Sequence, residues 1–174
     1  MKRCTSLLAL IALGVTLSAC DDNGATAPSG TSTSTFTATL LPANEVPPIT
    51  GSEAGGSGTA TVTFNLTKDS ADYVTAATMD VTGNVTGFPA GTALTASHIH
   101  PGAAGANGGV FVSLGLSAGE VTFPTGSGSF TKRGITLTVD QANTILANPG
   151  GFYFNIHTAA NPNGVARGQL TRTQ

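Results

Sequence analysis

The chain holds three histidines among its 174 residues. Two of them, His98 and His100, sit one residue apart in "ASHIHPGAAGANGG", and the third, His157, lies in "GFYFNIHTAANPNGVARGQL". Read as a strand, "SHIHP" puts both imidazoles on one face and Ile99 on the other, about 6.6 Å apart along the chain. Two rings at that spacing can lean toward one ion, with metal–nitrogen bonds of about 2.0–2.1 Å. "FYFNIHT" has the same geometry. Phe152, Phe154 and Ile156 share one face; Tyr153, Asn155 and His157 share the other. With Ile99 and Ile156 turned to the core, neighbouring strands bring all three histidines together on the outer face of one sheet. Loops 101–109 and 158–166 then cover them.

The chemistry of such a site follows from its donor set. Three imidazoles without a thiolate favour Cu(II), then Zn(II), over Mg(II) or Ca(II), which take oxygen ligands. One Cu(II) is therefore the expected ion, its fourth position filled by water or by Asn155. A second reading stands beside this one. The rings hydrogen-bond backbone carbonyls or Asn155 and pin the glycine-rich loops, with no metal. Spacing alone does not separate the two. Arg167, after the loop "ANPNG", either meets an anion near the triad or clamps carbonyls. Glu45 in "NEVPP" is its natural partner, because a buried guanidinium needs a carboxylate. Asn107–Gly108 is expected to form a tight turn, since both residues tolerate positive φ.

These residues must be positioned by strands, because the rest of the chain alternates with a period of two. In "SGTATVTFNL", Ala60, Val62, Phe64 and Leu66 alternate with Thr59, Thr61, Thr63 and Asn65, giving one dry face and one wet face. Phe36, Ala38 and Leu40 repeat the pattern, as do Tyr73, Thr75, Ala77, Met79 and Val81. Breaks fall at Pro47–Pro48, Gly83, Gly87–Pro89 and Pro124–Gly128. About seven to nine antiparallel strands in a sandwich or barrel are expected. One stretch departs from this. "TVDQANTILANPGG" places Thr138 and Gln141 in capping-box spacing and stops at Pro149–Gly150, which predicts a short helix over Val139–Ala147. The "GGSG" of residues 55–58 is no phosphate loop: it lacks the lysine and leads into a strand.

Composition narrows the function. Seven Lys and Arg face nine Asp and Glu, so no basic patch exists for nucleic acid. Lys2 and Arg3, an apolar run from Leu7 to Leu17 and small residues before Cys20 have the layout of an export signal over residues 1–19. The run is too short to span a bilayer, which takes roughly 20 apolar residues. Residues 20–35 read as a Ser/Thr/Gly/Pro-containing tether and 36–174 as one domain. The chain has two cysteines. Cys4 would leave with the signal.

"LSAC", Leu17 to Cys20, resembles a bacterial lipobox. The resemblance implies a lipid on Cys20 and a membrane-anchored protein of the bacterial cell envelope, periplasmic or surface-exposed. With Cys20 so consumed, the domain has no thiol for a disulfide, for thiolate catalysis or for a Cys-based zinc site. The order "FTATLLPANEVPPI", "GSGTATVTFNL", "ASHIHPGAAGANGGVFVSL" and "GGFYFNIHTAANPNGVARGQL" resembles the CHRD domain, over about Phe36 to Leu170. That family is named after chordin, an extracellular antagonist of growth factors. The resemblance implies a binding or structural module with an extracytoplasmic protein or other ligand as partner, and it names no catalytic residue. The site layout also looks like the copper half of copper/zinc superoxide dismutase. His98, His100, His157 and Arg167 follow the order of its His-x-His strand, later histidine and terminal arginine. The departures are a missing fourth copper histidine, missing zinc ligands and a missing disulfide. Two functions are carried forward: a CHRD binding or structural module with a three-histidine metal site, and a copper protein with redox activity. The expected fold is all-β, a single antiparallel sandwich of immunoglobulin-like or superoxide-dismutase-like kind with one short helix.

Overall fold

A computed structural model describes residues 30–174. The export signal, Cys20 and most of the expected tether lie outside the described residues. Ten strands and one helix follow in order: β1 (Gly30–Leu40), β2 (Ser57–Lys68), β3 (Val74–Thr86), β4 (Thr92–Pro101), β5 (Val112–Ser113), β6 (Val121–Phe123), β7 (Gly128–Leu137), α1 (Val139–Ala147), β8 (Phe152–Thr158), β9 (Ala166–Gln169) and β10 (Thr171–Arg172). One sheet has the order β10-β1-β2-β3-β7; the other runs β5-β4-β8-β9, with β6 also paired to β4. All pairings are antiparallel. The expected antiparallel sandwich with one short helix is the fold.

The period-two pattern is what makes the two layers. Phe36, Ala38 and Leu40 of β1, Ala60, Val62, Phe64 and Leu66 of β2, and Ala77, Met79 and Val81 of β3 are all buried. They meet Ile99 of β4 and Phe154 and Ile156 of β8 in one apolar core. Burying such side chains is the main favourable term of the fold. The threonines between them face outward, where β-branched side chains fit a pleated surface. α1 is closed by the predicted capping box: the Thr138 hydroxyl accepts from the Gln141 backbone, and the Gln141 side chain accepts from the Thr138 backbone.

Two expectations shift. Residues 30–35, expected as the end of a tether, belong to the domain instead. "GTSTST", residues 30–35, is strand, paired in register with Lys68 through Thr63; its alternating β-branched threonines outweigh its small polar composition. Tyr73 does not continue the inward series of β3. It lies in the β2–β3 turn and is 72% exposed, because Asp69 caps that turn by accepting from the backbone of Ala71 and Tyr73.

The sheets are tied at one corner. Leu41, just past β1, exchanges backbone hydrogen bonds with Arg167 of β9. The chain then turns through Pro42–Asn44 and crosses the outer face of the second sheet. This β1–β2 loop, residues 41–56, joins the loops after β4 and β8 as cover for that face.

Candidate metal centre

β4 and β8 pair with Ala96 opposite His157, His98 opposite Asn155 and His100 opposite Tyr153. Ile99 and Ile156 are fully buried in the core, so the residues between them point away from it. His98 and His157 are thus diagonal neighbours across the pair, and His100 is two residues along from His98. One nitrogen from each ring lies within 4.8 Å of the others. His100 and His157 are buried and His98 is half-buried.

The backbone assigns the protons. His157 Nδ1 is 3.0 Å from the Pro162 carbonyl, and His100 Nδ1 is 3.0 Å from the Gly108 carbonyl. A carbonyl only accepts, so each Nδ1 carries hydrogen, and in the neutral ring each Nε2 keeps a lone pair. His157 Nε2 accepts from His98 Nδ1 at 3.0 Å. His100 Nε2 is buried with no hydrogen-bond partner. Ligating histidines are commonly held this way, the distal nitrogen on a carbonyl and the other turned to the ion.

The surroundings keep the rings neutral. Burial, then the neighbouring His157 and His100, push the His98 imidazole down to about 4. Burial lowers His100 and His157 as well, against the opposing pull of their carbonyl partners. A neutral lone pair is what a metal needs. No carboxylate joins the cluster among the described residues. The donor set is all nitrogen, and it fits Cu(II) or Zn(II). With bonds of about 2.0–2.1 Å the nitrogens must close to about 4 Å or less. The His98–His157 pair is already inside that limit.

The second layer accounts for the other sequence candidates. Tyr153 stacks on His100, centroids 5.0 Å apart and planes 8° off parallel. The Arg167 guanidinium lies 4.5 Å from the Tyr153 ring centroid. Its Nε donates to the Asn44 carbonyl at 2.7 Å, and its Nη1 to the Ala106 carbonyl and Asn107 Oδ1. Glu45 Oε2 is 3.7 Å from Arg167 Nε, and both side chains are buried. Arg167 therefore grips the covering loops and the ring behind His100. Asn155, weighed as a fourth ligand, donates its amide to Glu45. Burial raises the Glu45 carboxyl to about 7, although Arg167 and Asn155 pull it down.

Other parts of the site depart from the sequence expectation or were not singled out by it. Asn107–Gly108 is not a left-handed turn: neither residue has positive φ. Gly108 is required by contact, because a Cβ there would run into the Pro101 carbonyl. That approach brings its own carbonyl to His100. Gly164, at φ +131, packs its backbone on Asn155 and Glu45, where a Cβ would lie 2.9 Å from the carboxylate. Glu53, which the sequence did not single out, is buried. Nothing in "GSEAGG" signals that. Tyr153 was legible as a residue on the His157 face, without its role.

Against known protein families, the CHRD domain matches residues 36–170. No curated protein and no solved structure matches the chain.

Proposed function

Starting from the fact that the chain belongs to the CHRD domain family, we propose that it is an exported, lipid-anchored binding or structural module whose outer face takes one Cu(II), or less readily Zn(II), at His98, His100 and His157. The observation that carries the metal reading is the arrangement of lone pairs. Two of the rings are fixed through Nδ1 on carbonyls, which leaves Nε2 of the buried His100 as its free nitrogen, without a partner, as Asn155 Oδ1 and Arg167 Nη2 also are. Rings that served only to pin loops would need their Nδ1 contacts alone. The unpartnered nitrogen would then be an unexplained cost, since a buried polar atom left without a hydrogen bond costs about 1–3 kcal/mol.

Binding asks one change of the protein. His98 must present its Nδ1 lone pair, so its proton moves to Nε2. His98 is the least buried of the three and so the one best placed to make that exchange. The copper site requires no turnover, and a module braced by metal fits the CHRD family. The loops fixed by the centre are also the outer surface available to a ligand. Zn(II), which is diamagnetic, gives a direct test. Adding about one equivalent to the stripped chain should move the ring signals of all three histidines together in NMR spectra. Movement of His98 and His100 without His157 would rule out the three-ligand centre.

A further inference from the structure

The loop before β2 carries a second buried carboxylate besides Glu45. Glu53 is 7% exposed, and it faces a different part of the cover. Its Oε2 accepts from the Thr158 hydroxyl at 2.8 Å and from the Asn161 side-chain amide. Asn161 organises the loop between β8 and β9. Its backbone N–H donates to the Thr158 hydroxyl at 3.2 Å, and its carbonyl accepts from Gly164 at 3.1 Å and Thr158 at 3.4 Å. The bond from Gly164 closes residues 161–164 as a turn with Pro162 in its second position; the proline ring fixes φ and the closed turn restricts ψ, so the placement of Asn161 directs the Pro162 carbonyl. That carbonyl holds His157 Nδ1.

We infer that Glu53 is a positioning residue for His157: through Asn161 and Pro162 it fixes the tautomer that turns His157 Nε2 toward the other two imidazoles. The chain of contacts runs from one carboxylate oxygen to one ring nitrogen without touching His98 or His100. It needs an acceptor at Glu53. It does not need a negative charge, because Gln can accept through its amide oxygen from the same two donors. The consequence for metal affinity rests on the function proposed above; the consequence for the tautomer does not.

The full chain is the sample, metal-free and near pH 7.5, where the imidazole is neutral. Two-bond proton–nitrogen NMR spectra report which His157 nitrogen carries hydrogen. Wild type and Glu53→Gln should show a single Nδ1–H form. Glu53→Ala should show a mixture of both tautomers. Its Cu(II) affinity should fall about 10–100-fold, the usual effect of losing an outer-shell partner, while Glu53→Gln keeps most of it. A folded Glu53→Ala with an unchanged tautomer would overturn the inference. Should that variant fail to fold, Thr158→Val decides. It removes one donor to Glu53 and one acceptor for Asn161, and it must also mix the tautomers; an unmixed spectrum overturns the inference equally. If wild type takes no Cu(II), the metal reading falls, and the tautomer comparison still judges Glu53.

Discussion

His98 and His157, 59 residues apart in sequence, meet with Nδ1 and Nε2 separated by 3.0 Å. Burial keeps both rings neutral, and with the Nδ1 hydrogen of His157 on the Pro162 carbonyl its Nε2 accepts from His98. A proton bridges the position between two lone pairs that a metal ion would share.

This neutrality has a cost in acid. His98 is lowered to about 4, and His100 and His157 are lowered too, chiefly by burial. Between the usual 6.5 of histidine and these lower values the unfolded chain binds more protons than the native one. Stability contributed by the rings is present above pH ~6.5 and lost as pH falls through that window. Glu45 acts in the opposite sense, since its carboxyl is raised to about 7 by burial. The native chain binds the extra proton between the usual 4.5 and 7, and stability falls as pH rises there. The two trends oppose each other between pH ~4.5 and 6.5. Glu45→Gln removes one of them. Chemical denaturation from about pH 5 to pH 8 should show that variant gaining stability relative to wild type as pH rises. Parallel curves would refute the assignment of a neutral, buried Glu45 at low pH.

Arg167 should be intolerant of a change that looks conservative. Its planar fork and its stacking on Tyr153 cannot be supplied by an ammonium group. Arg167→Met removes the bonds to the Asn44 and Ala106 carbonyls and to Asn107 and, above pH ~7 where Glu45 is charged, leaves that carboxylate without its buried partner; measured there it should cost about 3–5 kcal/mol. Arg167→Lys keeps a charge but loses the two-sided grip, and should fall between Met and wild type in a denaturation series. It should also weaken metal binding, because the Ala106–Asn107 segment leads to the Gly108 carbonyl on His100. A Lys variant indistinguishable from wild type in both measurements would contradict the bracing role.

The alternation in "SGTATVTFNL" and the isoleucine between the two histidines made the sandwich and the outward triad legible, because a period of two fixes which face each side chain takes. Ile99 and Ile156 were enough to orient their neighbours. The capping box of α1 was legible for a similar reason: its geometry is local. The cover was legible only in part: the loops after β4 and β8 and the pairing of Glu45 with Arg167 followed from position and residue type, but the path of the β1–β2 loop did not, because the approach of Glu53 to Thr158 spans more than a hundred residues and no periodicity carries it. Residues 30–35 misled by composition, since Ser and Thr serve a linker and an exposed strand face equally well.

Lipid anchoring makes a separate prediction. Metabolic labelling with a fatty-acid analogue should mark the wild-type chain and not Cys20→Ala, as expected if "LSAC" is a lipobox. Equal labelling of the two would remove the anchor while leaving the metal reading intact.

The central claim is that three imidazoles from β4 and β8 act as one centre, and calorimetric titration of the stripped chain with Cu(II) tests it most directly. Wild type should bind close to one equivalent, more tightly near pH 7.5 than near pH 5, because the ligands must be neutral. His98→Ala and His157→Ala should each weaken binding strongly. Binding that survives His157→Ala unchanged would mean that "HIH" chelates alone, and the three-histidine centre would be contradicted.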